Sequence, residues 1–446
     1  MNERYIAAVE VSSSKVVAAI GKTKGNGTLD VIAVDQASTA EGGVRYGIIQ
    51  NLEETSNTVS KVLGRLEQRA QVSPRKIKSV IVGLGGRSLK NITKEVSLNL
   101  PDDTEITDEI LDRLKTQALH SEIDNTLEVI DAVPRVFKVG DSKTSSPKGM
   151  IGNYISGVFD LIVCRPELKR NIRRTIVDKL GLEVDGFVVT AMATGHLILT
   201  QEEKRLGCML VDIGAETTTV TIYQKGALHY FATIPMGGRN ITRDIASLGV
   251  VDAKAEEIKV TSGNALSESK VPSLNIDGLK LTDISNYVVA RSEEIVANII
   301  AQIEYAGVKD ADLLGGIVCI GGGFRLKGLP ELLKRESGLN VRKGSLPEYV
   351  RIEDSRANNV ETTEVVSVLY AGATLTDKES FYTPESPLPP ANGVIPGLED
   401  ENAEEEKPQR RSGDNKPKSS FFDKMGKRLG KLFSGSEEDD TELLDE

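Results

Sequence analysis

Basic residues are outnumbered in this 446-residue chain: 55 Lys and Arg stand against 66 Asp and Glu, a formal net charge of −11. A protein that binds nucleic acid over its whole surface shows the opposite balance, so nucleic acid is not an expected partner. No stretch approaches the roughly 20 consecutive apolar residues that a membrane-spanning helix needs. Met1-Asn2-Glu3-Arg4 leads straight into a strand-like run, without the zones of a secretory leader. Cysteine is scarce, and Cys164, Cys208 and Cys319 are widely spaced, each in or beside an apolar run. They fit buried thiols in a reducing compartment better than a disulfide frame. His120, His196 and His229 share no metal-ligand spacing, which speaks against a zinc-type site.

The distribution of charge says more than its sum. Residues 380–446 carry −7 of the total, leaving −4 on residues 1–379. Residues 380–418 hold seven of the 16 prolines and the acidic run Glu399 to Glu406. Too few apolar side chains are present to offset the entropy of ordering, which predicts a flexible linker. Residues 419–433 are +3 and are followed by a −7 extension, 434–446. At about 100° per residue, Phe421, Phe422, Met425, Leu429, Leu432 and Phe433 share an arc of roughly 120°. Lys424, Lys427, Arg428 and Lys431 lie opposite, Ser420 and Asp423 suit a helix start, and Gly435 suits a stop. Such a segment fits an anionic membrane surface, each basic residue adding about 1 kcal/mol; the alternative is a helix docked on the protein's own core. Gly426 and Gly430 each cost about 1 kcal/mol of helix stability, so folding is expected on contact with lipid. One weak helix grips reversibly, and assembly of many copies multiplies the grip.

Ahead of residue 380, strand-like and helix-like runs alternate, which predicts an α/β fold. Tyr5–Val9 and Val16–Ile20 read as strands and Glu53–Arg69 as a helix. Leu281–Ala306 reads as a helix with Ile284, Val288, Ile295, Ile299 and Ile303 on one face. Two segments repeat one design. Ala7 to Val11 and Met209 to Ile213 are apolar strands containing an acid, Glu10 or Asp212. Each runs through a small polar tip, Ser12-Ser13-Ser14-Lys15 or Gly214-Ala215-Glu216-Thr217-Thr218, into a second apolar strand. Such a tip brings amides and hydroxyls close to an anion such as phosphate, and the acid can hold a cation through its water shell. Either tip alone also fits an ordinary hairpin. A third element, strand Ile317–Ile320, runs into Gly321-Gly322-Gly323, where bare backbone lets a flat ligand approach.

In this order the three elements resemble the actin–hexokinase–heat-shock chaperone ATPase superfamily and, within it, the FtsA family of bacterial cell-division proteins. The resemblance covers about residues 4–379. Val211 to Thr218 looks like the second phosphate loop, and Ile320 to Gly323 like the adenosine loop. Ile234 to Ala246 follows the stretch that FtsA proteins have after the second phosphate loop, and Ala255 to Lys259 carries the family's Glu-x-x-Lys. Ile130 to Pro134 and Pro147 to Gly152 look like landmarks of an FtsA-type inserted subdomain. The resemblance implies a two-lobed actin/hexokinase-like α/β fold. Residues 1–85 and 165–195 would form the first subdomain, 86–164 the insertion, 196–243 and 307–379 the second subdomain, and 244–306 a small subdomain. It implies ATP with Mg as cofactors, contacted by Ser12, Ser13, Ser14, Lys15, Asp212, Gly214, Thr217, Thr218, Gly321, Gly322 and Gly323. Glu256 and Lys259 would reach the ribose and base, and Glu10 and Asp212 would hold Mg through water. The implied partners are further copies in a filament, an anionic membrane, other division proteins, and the C-terminal peptide of FtsZ. Arg291 is the expected charge partner of that peptide and Glu294 orients it. The implied location is the cytoplasmic face of the membrane at the division site, with peripheral attachment.

The chain departs from the family pattern at specific places. Glu10 and Ser12 stand where the first loop usually reads Asp-x-Gly, and Thr190 stands where a Glu tends to order the metal's water. Ala215 and Glu216 replace glycines and Thr219 replaces a common acid. These changes predict nucleotide binding with weak or absent hydrolysis. A charged Glu216 next to phosphate is expected to need screening by metal or Lys15. Competing readings are a sugar kinase or chaperone-like ATPase of the superfamily, and a pilus-assembly-type adaptor of the same fold.

Overall fold

The structure, a computed structural model, describes residues 3–23, 28–69, 71–266, 274–354, 362–376 and 378–384. Strands Arg4–Val11 and Lys15–Thr23 are apolar on both faces, the pattern of a sheet covered from both sides, and Ile6 to Val9 and Val16 to Ile20 are all buried. The sheet they found has the order Glu183–Val189, Ser79–Leu84, Arg4–Val11, Lys15–Thr23, Leu29–Ser38, Val350–Ile352. Helix Leu52–Glu67 starts at Asn51, whose side chain accepts from the Glu53 and Glu54 amides, and buries Val59, Val62, Leu63 and Leu66. Helix Thr363–Leu375 returns from far along the chain to pack on the same sheet. It fits closely at Gly372, where a methyl group would lie 2.5 Å from Ile81 Cγ1.

The repeat seen in the sequence is a repeat of topology. Arg4–Val11 pairs antiparallel with Lys15–Thr23 and parallel with Ser79–Leu84. Cys208–Ile213 pairs antiparallel with Thr218–Gln224 and parallel with Ile317–Ile320. These are the central strands of two lobes; one apolar core runs from the first lobe onto one face of the second lobe's sheet, where it takes in Cys208, Leu210, Val318 and Ile320, and a second core with Met209, Val211, Ile213, Ile317 and Cys319 lies on the other face. Helix Leu281–Tyr305 buries Ile284, Val288, Ile295, Ile299 and Ile303, the face its periodicity predicts. At about 1.5–3 kcal/mol per buried aliphatic side chain, that stripe is a main contributor to the second core.

Between strands of the first lobe the chain builds a third unit, with strands Lys90–Glu105, Glu128–Val139 and Ile151–Cys164 under helix Asp108–Leu119. Phe137 and Phe159 meet edge-on at 5.9 Å in its core. Although it interrupts the first lobe in sequence, its sheet continues that of the second: Lys90 pairs with Ala232 of strand Ala227–Ile234.

Cys164, Cys208 and Cys319 are buried thiols, as their apolar surroundings predict. The chain stays packed a little beyond residue 379. Ser380 is buried, and Phe381–Tyr382 pairs with Lys76–Ile77. The Phe381 ring meets Tyr5 edge-on at 6.1 Å. The segment expected to be a linker from residue 380 therefore opens with a packed strand, held by backbone pairing to Lys76–Ile77 and by the Phe381 ring. Residues 385–418, the amphipathic segment 419–433 and the acidic extension 434–446 lie outside the described residues. Among the described residues, no helix is long and apolar enough to cross a membrane.

Candidate nucleotide site

Each hairpin tip is shaped by its own hydroxyls. The Ser12 amide and hydroxyl both donate to the Lys15 carbonyl, at 2.9 and 3.0 Å, closing the first turn. Ser13 is buried, and its Oγ accepts from the Gly47 amide at 3.1 Å, leaving its own proton to donate. The Ser14 carbonyl accepts from the Thr39 amide at 3.0 Å. In the second tip the Gly214 amide donates to the Thr217 carbonyl at 2.9 Å. Thr218, expected on the ligand, is buried, and its hydroxyl donates to the Met236 carbonyl at 2.8 Å, so it braces the loop. Helix Gly238–Ala246 is tied to the same loop: the Gly238 and Arg239 amides donate to the Gly214 and Ala215 carbonyls at 2.9 and 2.7 Å.

The glycine run closes on the second tip. Asp212 and Ile320 are register partners. Gly321 adopts φ +86°, and a Cβ there would lie 2.4 Å from Asp212 Oδ1 and 2.5 Å from the Ile213 carbonyl. Only glycine fits. Gly322 faces open space, and Gly323 sits near Gly238, which in turn neighbours Lys259 Nζ. Lys259, on helix Asp252–Ser262, donates to the Gly238 carbonyl, Thr242 Oγ1 and Glu256 Oε2 at 3.1, 3.0 and 2.7 Å. Burial pulls its pKa below the ordinary value, against the neighbouring Glu256. The structure thus brings the Gly214 tip, the glycine run and the Glu256–Lys259 pair together.

Two buried carboxylates, Glu10 and Asp212, stand on the strands that lead into the two hairpin tips. Glu10 is buried, and its pKa is raised well above the usual range by that burial and then by Glu364, with Lys15 and the Thr190 hydroxyl opposing. Asp212 is raised by burial, by the charge and hydrogen bond of Glu364, and by Glu10, again against Lys15. Asp212 Oδ1 is buried without a hydrogen-bond partner. Sequence reasoning passed over Glu364. Its one signal is an acid opening an otherwise apolar, buried helix, which reads as a simple complement to the helix dipole.

Glu216 does not rely on metal or Lys15 for compensation. Its side chain is fully buried, 2.8 Å from the Tyr46 amide and 3.2, 3.3 and 2.9 Å from Arg45, Arg239 and Arg243. Burial pushes its pKa up, but the amide and the guanidinium groups outweigh that and hold it below the ordinary value. Arg291 is likewise engaged. Its fork takes both oxygens of Asp244, at 2.6 and 3.1 Å, and a third nitrogen meets Glu294 at 2.5 Å. Asp244, on a different helix, was not foreseen as its partner.

A family model described as cell division protein FtsA matches residues 209–368, and a second, the SHS2 domain inserted in FTSA, matches residues 86–163. The chain belongs to the FtsA family. Among FtsA relatives, that of Pseudomonas aeruginosa is 26% identical over 405 residues, covering 87% of this chain and 95% of its own. That of Bacillus subtilis is 29% identical over 367 residues, with 79% and 81% covered. For Escherichia coli K12 the figures are 27% over 367 residues, 77% and 84%. The fold is shared with a solved PilM-PilN type IV pilus biogenesis complex at a TM-score of 0.59 and 16% identity, covering 82% of this chain and 98% of that one. The fold is thus the actin-like one of the FtsA family, carrying the family's inserted domain.

Proposed function

We propose that this FtsA-family chain is an ATP-binding scaffold subunit. It assembles with its own copies and holds FtsZ filaments to the cytoplasmic face of the membrane at the division site. The observation that carries the nucleotide reading is the convergence of the second tip and the glycine run on Asp212, whose buried Oδ1 lacks a partner. The first tip supplies Ser13 and Lys15 for phosphate, and Gly322 leaves an open approach for a flat base. Glu10 and Asp212 offer hard oxygen donors that fit Mg. Among the described residues no three ligating side chains are placed to grip an ion directly, so the ion would be held through its water shell. Bound there, Mg neutralises phosphate charge. Turnover is slow in this reading, because Thr190 and Thr219 offer hydroxyls where a carboxylate would position water. ATP then acts chiefly as an assembly ligand.

The membrane contact is assigned to residues 419–433, and weak single-copy binding is strengthened by assembly. The FtsZ peptide is assigned to residues 244–306, where its acidic groups compete with Asp244 and Glu294 for Arg291. Two measurements test the reading. A fluorescent ATP analogue should bind the full chain with Mg, and Lys15→Ala should weaken it by at least about tenfold. Liposomes should float the full chain together with FtsZ polymer, whereas a chain ending at Lys418 should stay behind with unchanged melting. No analogue binding, or flotation of the shortened chain, would overturn the corresponding half.

A further inference from the structure

Between strand Leu29–Ser38 and helix Leu52–Glu67 of the first lobe, Val44–Arg45 pairs with Ile48–Ile49 as a hairpin with a two-residue tip, Tyr46-Gly47. Both tip residues have positive φ, +51° and +81°, the backbone that so short a return needs. Gly47 leaves no room for a side chain: a Cβ there would lie 2.3 Å from the Gly85 carbonyl. The Tyr46 carbonyl accepts from the Arg87 amide at 3.1 Å, and Val44 and Ile49 are buried, so the hairpin is built into the first lobe. The guanidinium groups of Arg45 and Arg87 lie 5.4 and 4.9 Å from the centroid of the Tyr46 ring. The two consecutive tip amides serve different lobes. Gly47 donates to Ser13 Oγ at 3.1 Å, in the first lobe's own tip. Tyr46 donates to Glu216 Oε2 at 2.8 Å, in the tip of the second lobe.

We propose that Glu216 is an interlobe latch, fastening the second lobe to the hairpin tip Tyr46-Gly47 of the first, so that the lobes separate only when this contact breaks. Glu216 is one of the positions at which the chain departs from the family pattern. Its carboxylate is held from both sides. Arg45 meets it at 3.2 Å from the first lobe, while Arg239 and Arg243, on helix Gly238–Ala246 of the second, meet it at 3.3 and 2.9 Å. Opening strips away the Tyr46 amide and Arg45 but leaves the two second-lobe arginines in place. The buried carboxylate thus keeps countercharge in either state, and the latch can release without stranding a bare charge. What is lost is one charge-assisted hydrogen bond and one half-exposed ion pair, enough to favour the closed arrangement by about tenfold or more. Because Gly47 also holds Ser13, one turn sets the spacing of the two hairpin tips. That role stands whether or not the tips hold phosphate.

Double electron–electron resonance on the full chain, without nucleotide, tests this. Lys61→Cys on helix Leu52–Glu67 and Lys334→Cys on helix Leu329–Ser337 place spin labels at exposed sites of the two lobes. Cys164, Cys208 and Cys319 are buried and escape the label. The labelled chain should give one main distance. Glu216→Ala should add a second, longer population, moving the closed-to-open ratio by about tenfold. Arg45→Ala attacks the latch from the other lobe at a half-exposed side chain, and should shift the ratio in the same direction with unchanged circular dichroism, so it decides the matter if Glu216→Ala folds poorly. Arg291→Ala breaks an ion pair confined to the second lobe and should leave the distances as they are. Unchanged distances in both Glu216→Ala and Arg45→Ala would overturn the latch and leave Glu216 a local brace. An equal shift in Arg291→Ala would overturn it as well, by showing general loosening. The nucleotide reading is tested separately by the analogue titration and survives either result.

Discussion

Arg135 and Asp160 hold each other through two hydrogen bonds, 2.8 and 2.6 Å, at the seam between the inserted unit and the second lobe. Asp160 is fully buried and also accepts from Asn91 and Thr93, at 2.8 and 3.1 Å. The same guanidinium reaches the His229 carbonyl at 2.7 Å, and Asn91 accepts from the Phe231 amide at 3.1 Å. One polar knot thus supports a junction that has little strand pairing of its own.

Removing Arg135 leaves a buried carboxylate without its countercharge. Arg135→Ala should cost about 3 kcal/mol in urea unfolding. It should also speed amide exchange in Ala227–Ile234 before the rest of the second lobe. Arg135→Lys should recover only part, since an ammonium cannot reproduce the two-pronged contact. A loss below about 1 kcal/mol, within the range of an ordinary surface pair, would refute the assignment.

Glu216 and Arg243 make a second testable pair, joined at 2.9 Å. Glu216→Ala should destabilise by about 2 kcal/mol, less than a fully enclosed pair because the three arginines keep some contact with water. A double-mutant cycle with Arg243→Ala should return about 1 kcal/mol of coupling. The folded-state pKa of Glu216 is depressed. Its contribution is therefore present above the unfolded value of 4.5 and is lost as pH falls through the lower folded value. Glu216→Gln should flatten stability in that acid window, and an unaltered profile would refute the point.

These pairs mark where sequence reading ran out. The two hairpins and the glycine run were legible because strand, acid, tip and return strand are neighbours in the chain. Helix Leu281–Tyr305 was legible because its apolar period is internal to it. Arg45 reaches Glu216, and Asp244 reaches Arg291, only through tertiary folding across long stretches of chain. No local pattern encodes such a meeting. Glu216 did announce a need for countercharge, but the nearest named candidates, metal and Lys15, were the wrong ones. Nor does alternation along Lys90–Glu105 tell which lobe its sheet will extend. Register with Ala232 decides that.

Acid sensitivity should be traceable to His196. Burial, and then the charge of Lys204, lower its pKa from 6.5 to about 3. The unfolded chain therefore binds a proton that the folded chain refuses, in the window from about 6.5 down to about 3. Folding stability should fall as pH drops through that window and be unaffected by His196 above it. His196→Gln, which cannot take up that proton, should hold its melting temperature better between pH 6.5 and pH 4 than the native chain does. Parallel melting curves for the two proteins would count against it.

The acidic extension offers a prediction about membrane affinity. Residues 434–446 place −7 directly after a +3 segment, so an anionic surface that attracts Lys424, Lys427, Arg428 and Lys431 repels the acidic side chains next to them. Each basic residue near such a surface contributes about 1 kcal/mol, and acidic neighbours within a Debye length subtract from that sum. Ending the chain at Phe433 should therefore tighten binding to vesicles rich in phosphatidylserine by about tenfold. Zwitterionic vesicles should show little change, because the apolar face is untouched. In about 0.5 M salt the two chains should converge, since screening removes the repulsion along with the attraction. Weaker or equal binding of the shortened chain at low salt would mean that the extension does not oppose the lipid contact.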